Sequence, residues 1–512
     1  MAIEGKDPLF QLIRSLSKSE KRQFKLYVGR LEVNSTANFL ALFNVIDKME
    51  RYNEQIILAK TKIIKRQLSN AKAHLYKQIL VSLRLSPLHK SVRSSIREQL
   101  DFASIVYNKG LYKQALKILD KAKNLALSND ELNLAYEIVE MEKVIETQYI
   151  TRSLNNRADM LSIQAKEISM KNVFTSKLSN VSLQLYSLFL KEGYARNDKD
   201  INRINNYFIA RLPEFDFDSL GFREKLFLYQ ANLWRSFIIQ DFLRSYKYSH
   251  KWVDLFHCNP KMKKLNPVFY LKGMNYLLES LYYLRHRNFD VVLKGFLDEV
   301  DSGEYFINDN TKSLAFLYTY QHRLNYFIFN GEFTKGLTLI PELLIEIESY
   351  KGVLDQHHLM IFYYKVASIY FGAGDNDNCI YYLNKIISNK DLVIREDLLC
   401  FSRVLNLVSH YEAGKDERIE ELIRSTYQFL IKMNEMHKVQ ELMIAFLKKL
   451  NTLYPHELKN AFVELHEELA VYKDHPYEGR AFLYLDVLSW LESHIQNIPV
   501  EQIVKAKINK IG

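Results

Sequence analysis

Acidic residues are missing from one long stretch of this chain: the 43 residues between Glu54 and Glu98 contain ten Lys or Arg and no Asp or Glu. Other shortages are chain-wide. Only 16 Gly and nine Pro occur in 512 residues, and no alternating blocks bounded by Gly, Asn or Pro turns interrupt the sequence, which argues against a β-rich fold. Cys258, Cys379 and Cys400 stand far apart with no C-x-x-C pair, so neither a disulfide framework nor a zinc module is expected and a reducing compartment fits. No run of 18 apolar residues exists and residues 1–10 lack an apolar signal core. Neither a membrane span nor secretion is expected, and cytoplasm is the expected location.

Catalytic and cofactor motifs are also missing. There is no G-x-x-x-x-G-K-[ST] and no G-x-G-x-x-G, and Gly372-Ala-Gly374 is explained by the helix end it occupies. His456-Glu457 and His466-Glu467 lack the second His of a zincin helix. His250, His257 and Cys258 share a helix face without a fourth metal ligand, and Cys379 interrupts the oxygen-ligand pattern after Asp375 and Asp377. No nucleophile–base arrangement stands out. A non-enzymatic protein without metal or cofactor is expected.

What is present is helical and repetitive. Residues 1–95 carry 18 Lys+Arg against seven Asp+Glu, while the remaining 417 residues carry 52 against 53. The basic end opens with Ser17-Lys-Ser-Glu20, a capping box that predicts a helix over about 18–30. Helices are predicted over 38–51 and 54–68, and Ser69-Asn70 would cap a further one reaching Leu85, with Leu75, Ile79, Leu80 and Leu83 inward. Ser86-Pro87 closes this block.

Beyond it, Tyr107-Asn-Lys-Gly110-Leu-Tyr112-Lys-Gln-Ala115-Leu-Lys-Ile-Leu119-Asp-Lys-Ala122 sets a pattern. A helix ends at glycine, an aromatic opens the next, and small or apolar residues recur on one face. Ala367 to Ile386 repeats it around Gly374 and Cys379, Tyr326 to Gly336 repeats it around Gly331, and weaker copies turn at Gln240, Arg287 and Gly414. Polar interruptions near Asn155 and Asn197 suggest two more turns, and Pro341 predicts a helix that kinks or starts late. The pattern resembles the tetratricopeptide repeat over roughly residues 96–450, although turns fall about 40–47 residues apart where that family has about 34. The opening helices also resemble those of bacterial helical-repeat proteins, which implies no activity.

The resemblance implies an all-α, right-handed α-solenoid of paired antiparallel helices, with a basic N-terminal helical domain (1–90), tetratricopeptide-like repeats (91–455) and C-terminal capping helices (456–512). It also implies that the first helix of each pair lines a concave groove. Counting thirteen, ten, six and three residues back from each turn gives Phe227, Gln230, Trp234 and Phe237, then Tyr318, Gln321, Asn325 and Ile328, then Ile361, Tyr364, Ser368 and Phe371, then Phe401, Val404, Val408 and Tyr411, with Lys365 and Arg285 adding charge. Aromatics mixed with amides suit an extended peptide.

The basic candidates are Lys60, Lys62, Lys65, Arg66, Lys72, Lys77 and Arg84. Helices 56–68 and 70–85 have a helix-turn-helix outline that would carry Lys72, His74, Lys77 and Gln78 toward base edges and phosphates. Such charge equally suits an exposed solvated face, a surface docking on acidic repeats, or an anionic membrane surface. The expected function is a protein- or peptide-binding scaffold. The alternative is a regulator that binds nucleic acid through residues 55–97 and senses a partner through its repeats.

Overall fold

The computed structural model describes all residues except 1–6, 31–34, 87–88, 149–155, 304–307, 351, 353, 390–395, 416–418, 434–436, 451–452, 480, 485 and 512. Among the described residues there are helices and turns but no strand. The closing Pro87 and the interruption at Asn155 lie outside them. Two compact units are present, Met1–Ile168 and Ser169–Gly512.

The first unit opens with α1 (Pro8–Ser15), α2 (Lys18–Gly29), α3 (Ser35–Asp47), α4 (Glu54–Lys60) and α5 (Lys65–Leu85). Phe24, Phe43, Leu75 and Ile79 are central to their shared core. The capping box forms: the Glu20 amide donates to Ser17 Oγ at 3.2 Å and the Ser17 amide to Glu20 Oε2 at 2.7 Å. The break between α4 and α5 falls at residues 61–64, so Ser69 and Asn70 lie inside α5 and cap nothing. The reason is facial. A continuous helix would turn Ile64 inward with Ile57, whereas the break buries Ile63 and leaves Ile64 58% exposed. Leu80, expected inside, is 45% exposed, because the buried stripe of α5 runs through Leu68, Leu75, Ile79 and Ser82.

The unit continues with α6 (Val92–Asn108), α7 (Tyr112–Ser128), α8 (Leu132–Gln148) and the first part of α9 (Arg157–Glu192). Ala103, Ala115, Leu119 and Ala122 are buried together, the small side chains letting α6 and α7 approach closely. Within this core Glu142 stands between Lys123 Nζ at 2.5 Å and Arg157 Nη2 at 2.9 Å. Burial raises the pKa of Glu142, and the two cations only partly offset it.

The second unit takes the rest of α9 and adds α10 (Asp198–Arg211), α11 (Phe222–Ile238), α12 (Phe242–His257), α13 (Pro260–Leu265), α14 (Pro267–Tyr283), α15 (Phe289–Asp301), α16 (Asp309–Phe329) and α17 (Phe333–Gly336). Next come α18 (Ile340–Ser349), α19 (Gln356–Gly372), α20 (Asn376–Ile387), α21 (Glu396–Glu412), α22 (Ile419–Lys432) and α23 (Lys438–Leu450). Pro341 sits in the first turn of α18, which starts late after a 3₁₀ turn at Leu337–Leu339.

Helix ends repeat one device. Gln240, Arg285, Gly331, Gly374 and Gly414 all have positive φ, at spacings of 45, 46, 43 and 40 residues. At each, the next amide reaches back to the carbonyl five residues earlier, as Asp241 to Ser236, His286 to Leu281, Glu332 to Phe327, Asp375 to Tyr370 and Lys415 to His410. This is the Schellman closure, and it folds the chain back into the next helix. Gly110 closes α6 in the same way. The left-handed residue at the second of these turns is Arg285, two positions before the expected Arg287.

Consecutive pairs pack on each other: α12 lies against both α11 and α14, α20 against both α19 and α21, and the first helices α14, α16, α19 and α21 contact in series. Close fits fix some of these contacts. A Cβ on Gly372 would lie 2.3 Å from the Phe333 ring, and one on Gly273 would lie 2.9 Å from Trp252.

After Pro455 the chain forms α24 (Pro455–Ala470), α25 (Ala481–Tyr484), α26 (Val487–Gln496) and α27 (Val500–Ile511). These helices do more than cover the last pair. The Trp490 indole and His494 reach Glu412 at 2.7 and 2.6 Å, Arg285 pairs with Asp486 at 3.9 Å, and the Thr334 amide donates to Glu501 at 3.2 Å. The final helices therefore run back along the turns of earlier pairs.

Candidate functional site

A chain of buried polar groups crosses three successive first helices of the second unit. His322 Nε2 on α16 lies 2.9 Å from Asn275 Oδ1 on α14, its Nδ1 lies 3.3 Å from Asn325 Nδ2, and Lys365 on α19 donates to Asn325 Oδ1. One proton arrangement satisfies every link: the ammonium donates to the Asn325 carbonyl, the Asn325 amide donates to Nδ1, and Nε2–H donates to Asn275. Burial, reinforced by the charge of Lys365, pushes the His322 pKa down to about 3. His322 is therefore neutral at physiological pH and acts as a spacer between two amides.

Beside this chain lies a cavity of about 100 Å³. Gln321, Ile361, Tyr364, Lys365 and Ser368 form one side of it, and Glu279, Tyr282, Tyr283 and Arg285 another. Phe482, Leu483 and Asp486 from the C-terminal segment close it. Tyr283 donates to Glu279 Oε1 at 3.0 Å. Both signs of charge thus rim a space large enough for one side chain and too small for a drug-sized ligand, which needs roughly 300–1,000 Å³.

Of the nominated groove residues, Gln321, Ile328, Ile361, Tyr364, Lys365, Ser368 and Arg285 meet at this cavity. The others do not form an open groove. Gln230, Phe237, Tyr318, Asn325, Phe371, Phe401, Val404 and Val408 are buried, and so is most of Tyr364. Gln230 accepts from Ser182 Oγ on α9 at 3.4 Å, and Asn325 accepts from Lys365 on α19, so both amides bridge neighbouring helices instead of facing a peptide. Trp234 is half-buried among Tyr186, Phe189, Phe237 and Tyr276, and Phe227 packs edge-on to Phe269. First helices approach so closely that positions expected to face a ligand face each other. Asn275, His322 and the closing C-terminal residues went unnoticed in the sequence. An amide and an imidazole inside apolar helices were the available signals for the first two.

The basic candidates also divide. Lys72 is held inward by Asp7 and by the Tyr52 hydroxyl at 2.7 Å, and lies over the Tyr52 ring at 4.8 Å. Burial works against its charge, but Asp7 and Tyr52 outweigh that and raise its pKa. Gln78 accepts from the Tyr27 hydroxyl at 2.9 Å, so of the expected reading face of Lys72, His74, Lys77 and Gln78 the unit itself engages Lys72 and Gln78, while Lys77 is exposed and His74, also exposed, stacks on Phe39 at 4.5 Å. Arg84 pairs with Asp101 at 3.0 Å. Lys60, Lys62, Lys65, Arg66 and Lys77 are exposed.

A larger cavity of about 860 Å³ lies between the turn at Gly372–Gly374 and α26–α27. Its charged groups already have partners: Glu412 pairs across it with Trp490 and His494, and Glu501 with Thr334 across it and with Lys505 along α27. No group of three His, Cys, Asp or Glu side chains suited to a metal occurs among the described residues, and Asp254 rather than a third His faces His250, at 2.7 Å. No described helix is long and apolar enough to cross a membrane. Comparison with family models, curated proteins and solved structures finds no match to this chain.

Proposed function

We propose that this protein is a cytoplasmic, non-enzymatic scaffold built as a divergent tetratricopeptide-like α-solenoid, which holds a protein or peptide partner by one anchoring side chain. The carrying observation is the convergence of Gln321, Tyr364, Lys365, Ser368 and Arg285 on a cavity of about 100 Å³. Its volume selects a side chain over a cofactor, and Lys365 and Arg285 opposite Glu279 and Asp486 favour a polar residue flanked by backbone. Serial packing of first helices and the recurring left-handed closures support the repeat reading. Anchors of this kind dominate binding energy, typically about 2 kcal/mol or more each.

A photo-crosslinking amino acid at Ile361 tests it. The expected result is one defined adduct with a partner chain, lost in Ser368→Trp, which fills the cavity, while the thermal unfolding of the protein is unchanged. Absence of an adduct, or an adduct indifferent to Ser368→Trp, refutes the site.

A further inference from the structure

Folding neutralises only part of the acid-free run. Of its ten cations, Lys72 reaches Asp7, Arg84 reaches Asp101, Lys90 reaches Glu98 at 3.6 Å and Arg93 reaches Glu131 at 2.8 Å, every acid coming from outside the run. Lys60, Lys62, Lys65, Arg66, Lys77 and Arg97 are exposed, and none pairs with a carboxylate among the described residues. Four of these six flank the single turn that joins α4 to α5.

The outward stripe of α5 is Arg66, Ser69, Asn70, Ala73 and Lys77, all exposed, opposite the buried Leu68, Leu75 and Ile79. Between its two cations this stripe carries only small or short polar side chains, so a partner can come close to the helix backbone. A B-DNA major groove, about 12 Å wide, admits a helix about 10–12 Å across. The helices α1, α2 and α3 pack against α5, which holds it from behind. A membrane-seeking helix needs a continuous bulky apolar face. Here the exposed Ile64 and Leu80 stand outside the stretch from Arg66 to Lys77, and nothing bulky and apolar interrupts it.

We infer that the first unit binds duplex DNA. The N-terminal half of α5 enters the major groove, Arg66, Asn70 and Lys77 meet base edges, and Lys60, Lys62 and Lys65 meet the flanking phosphates. The reading face is thus rotated away from Lys72 and Gln78, whose side chains serve the fold. This activity is independent of the cavity in the second unit.

Fluorescence anisotropy of the full chain with a labelled duplex of about two helical turns tests the inference. Three phosphate contacts give a slope of log K against log[salt] of about −2.7, a loss of about 40-fold between about 50 and about 200 mM salt. Replacing Lys60, Lys62, Lys65 and Arg66 together by Gln should flatten the slope to near zero. Replacing four exposed cations of the neighbouring hairpin, Lys109, Lys113, Lys117 and Lys121, by Gln should leave it within about one unit. Ala73→Glu, which sets a carboxylate into the groove, should weaken binding by about tenfold or more with the melting of the protein unchanged. The inference is overturned by no duplex binding at about 50 mM salt, by equal slope losses from the two four-cation variants, or by binding to vesicles of anionic lipid in the absence of binding to the duplex.

Discussion

The two compact units differ in how they use charge. Residues 1–168 carry 28 Lys+Arg against 18 Asp+Glu, whereas residues 169–512 carry 42 against 42. The first unit also buries full charges, with Glu142 between Lys123 and Arg157. The second buries mainly neutral polar groups, among them Asn275, His322 and Asn325 with the half-buried Lys365 at the end of the chain they form, and one carboxylate, Glu224, which accepts from the Thr175 hydroxyl at 3.2 Å. The contrast separates two kinds of cation: those enclosed by the fold and balanced there, and those left outside for a partner.

The largest expected effect tests the enclosed kind. Glu142→Ala leaves two cations in the core of the first unit without a carboxylate, at a cost of about 3–5 kcal/mol in urea unfolding. A cost under about 1 kcal/mol would show that the ionic core of the first unit is no more demanding than a neutral one.

The neutral counterpart in the second unit carries its own signature. The His322 pKa falls from 6.5 to about 3 on folding, so as pH drops the unfolded chain takes up this proton first. Stability is therefore lost from about pH 6.5 downward, amounting to about 2 kcal/mol between about pH 7.5 and about pH 5. His322→Gln should remove that slope while keeping stability at neutral pH the less changed quantity. An unaltered acid limb in the variant would assign the loss to other groups.

Lys72 and Lys77 sharpen the comparison inside one helix, since they are equivalent in the sequence and differ only in burial. Lys72→Ala should cost about 1–2 kcal/mol, because Asp7 and Tyr52 lose their donor. Lys77→Ala should stay within about 0.5 kcal/mol. Equal costs would erase the distinction between structural and free cations. Smallest of all, the combined change of Lys60, Lys62, Lys65 and Arg66 to Gln should leave stability within about 0.5 kcal/mol while removing most salt dependence from DNA binding. Marked destabilisation by that change would mean the four residues hold the fold together.

Much of the architecture was legible residue by residue. The capping box at Ser17, the closures at Gly110, Gly331, Gly374 and Gly414, the small partners Ala115 and Cys379, and the late start at Pro341 all form where the sequence predicts them. The break between α4 and α5 was misplaced by several residues, since Ser69-Asn70 offers caps that a core needing Ile63 does not use. The candidate site was half legible. Gln321, Tyr364, Lys365, Ser368 and Arg285 do share one cavity, whereas Gln230, Phe237 and Asn325 are enclosed by neighbouring helices.

The division follows the range of the forces involved. By itself the sequence determined the helical content, the turn positions and the confinement of the basic excess to one end, because a Schellman closure or a capping box is set by φ and hydrogen bonds within about five residues. Tertiary structure alone decided which faces are covered and which cations are balanced. Glu501 returns to Thr334 across 167 positions, Asp486 returns to Arg285, and Asp7 reaches Lys72. Such pairings depend on which helix arrives beside which, and no local pattern records that.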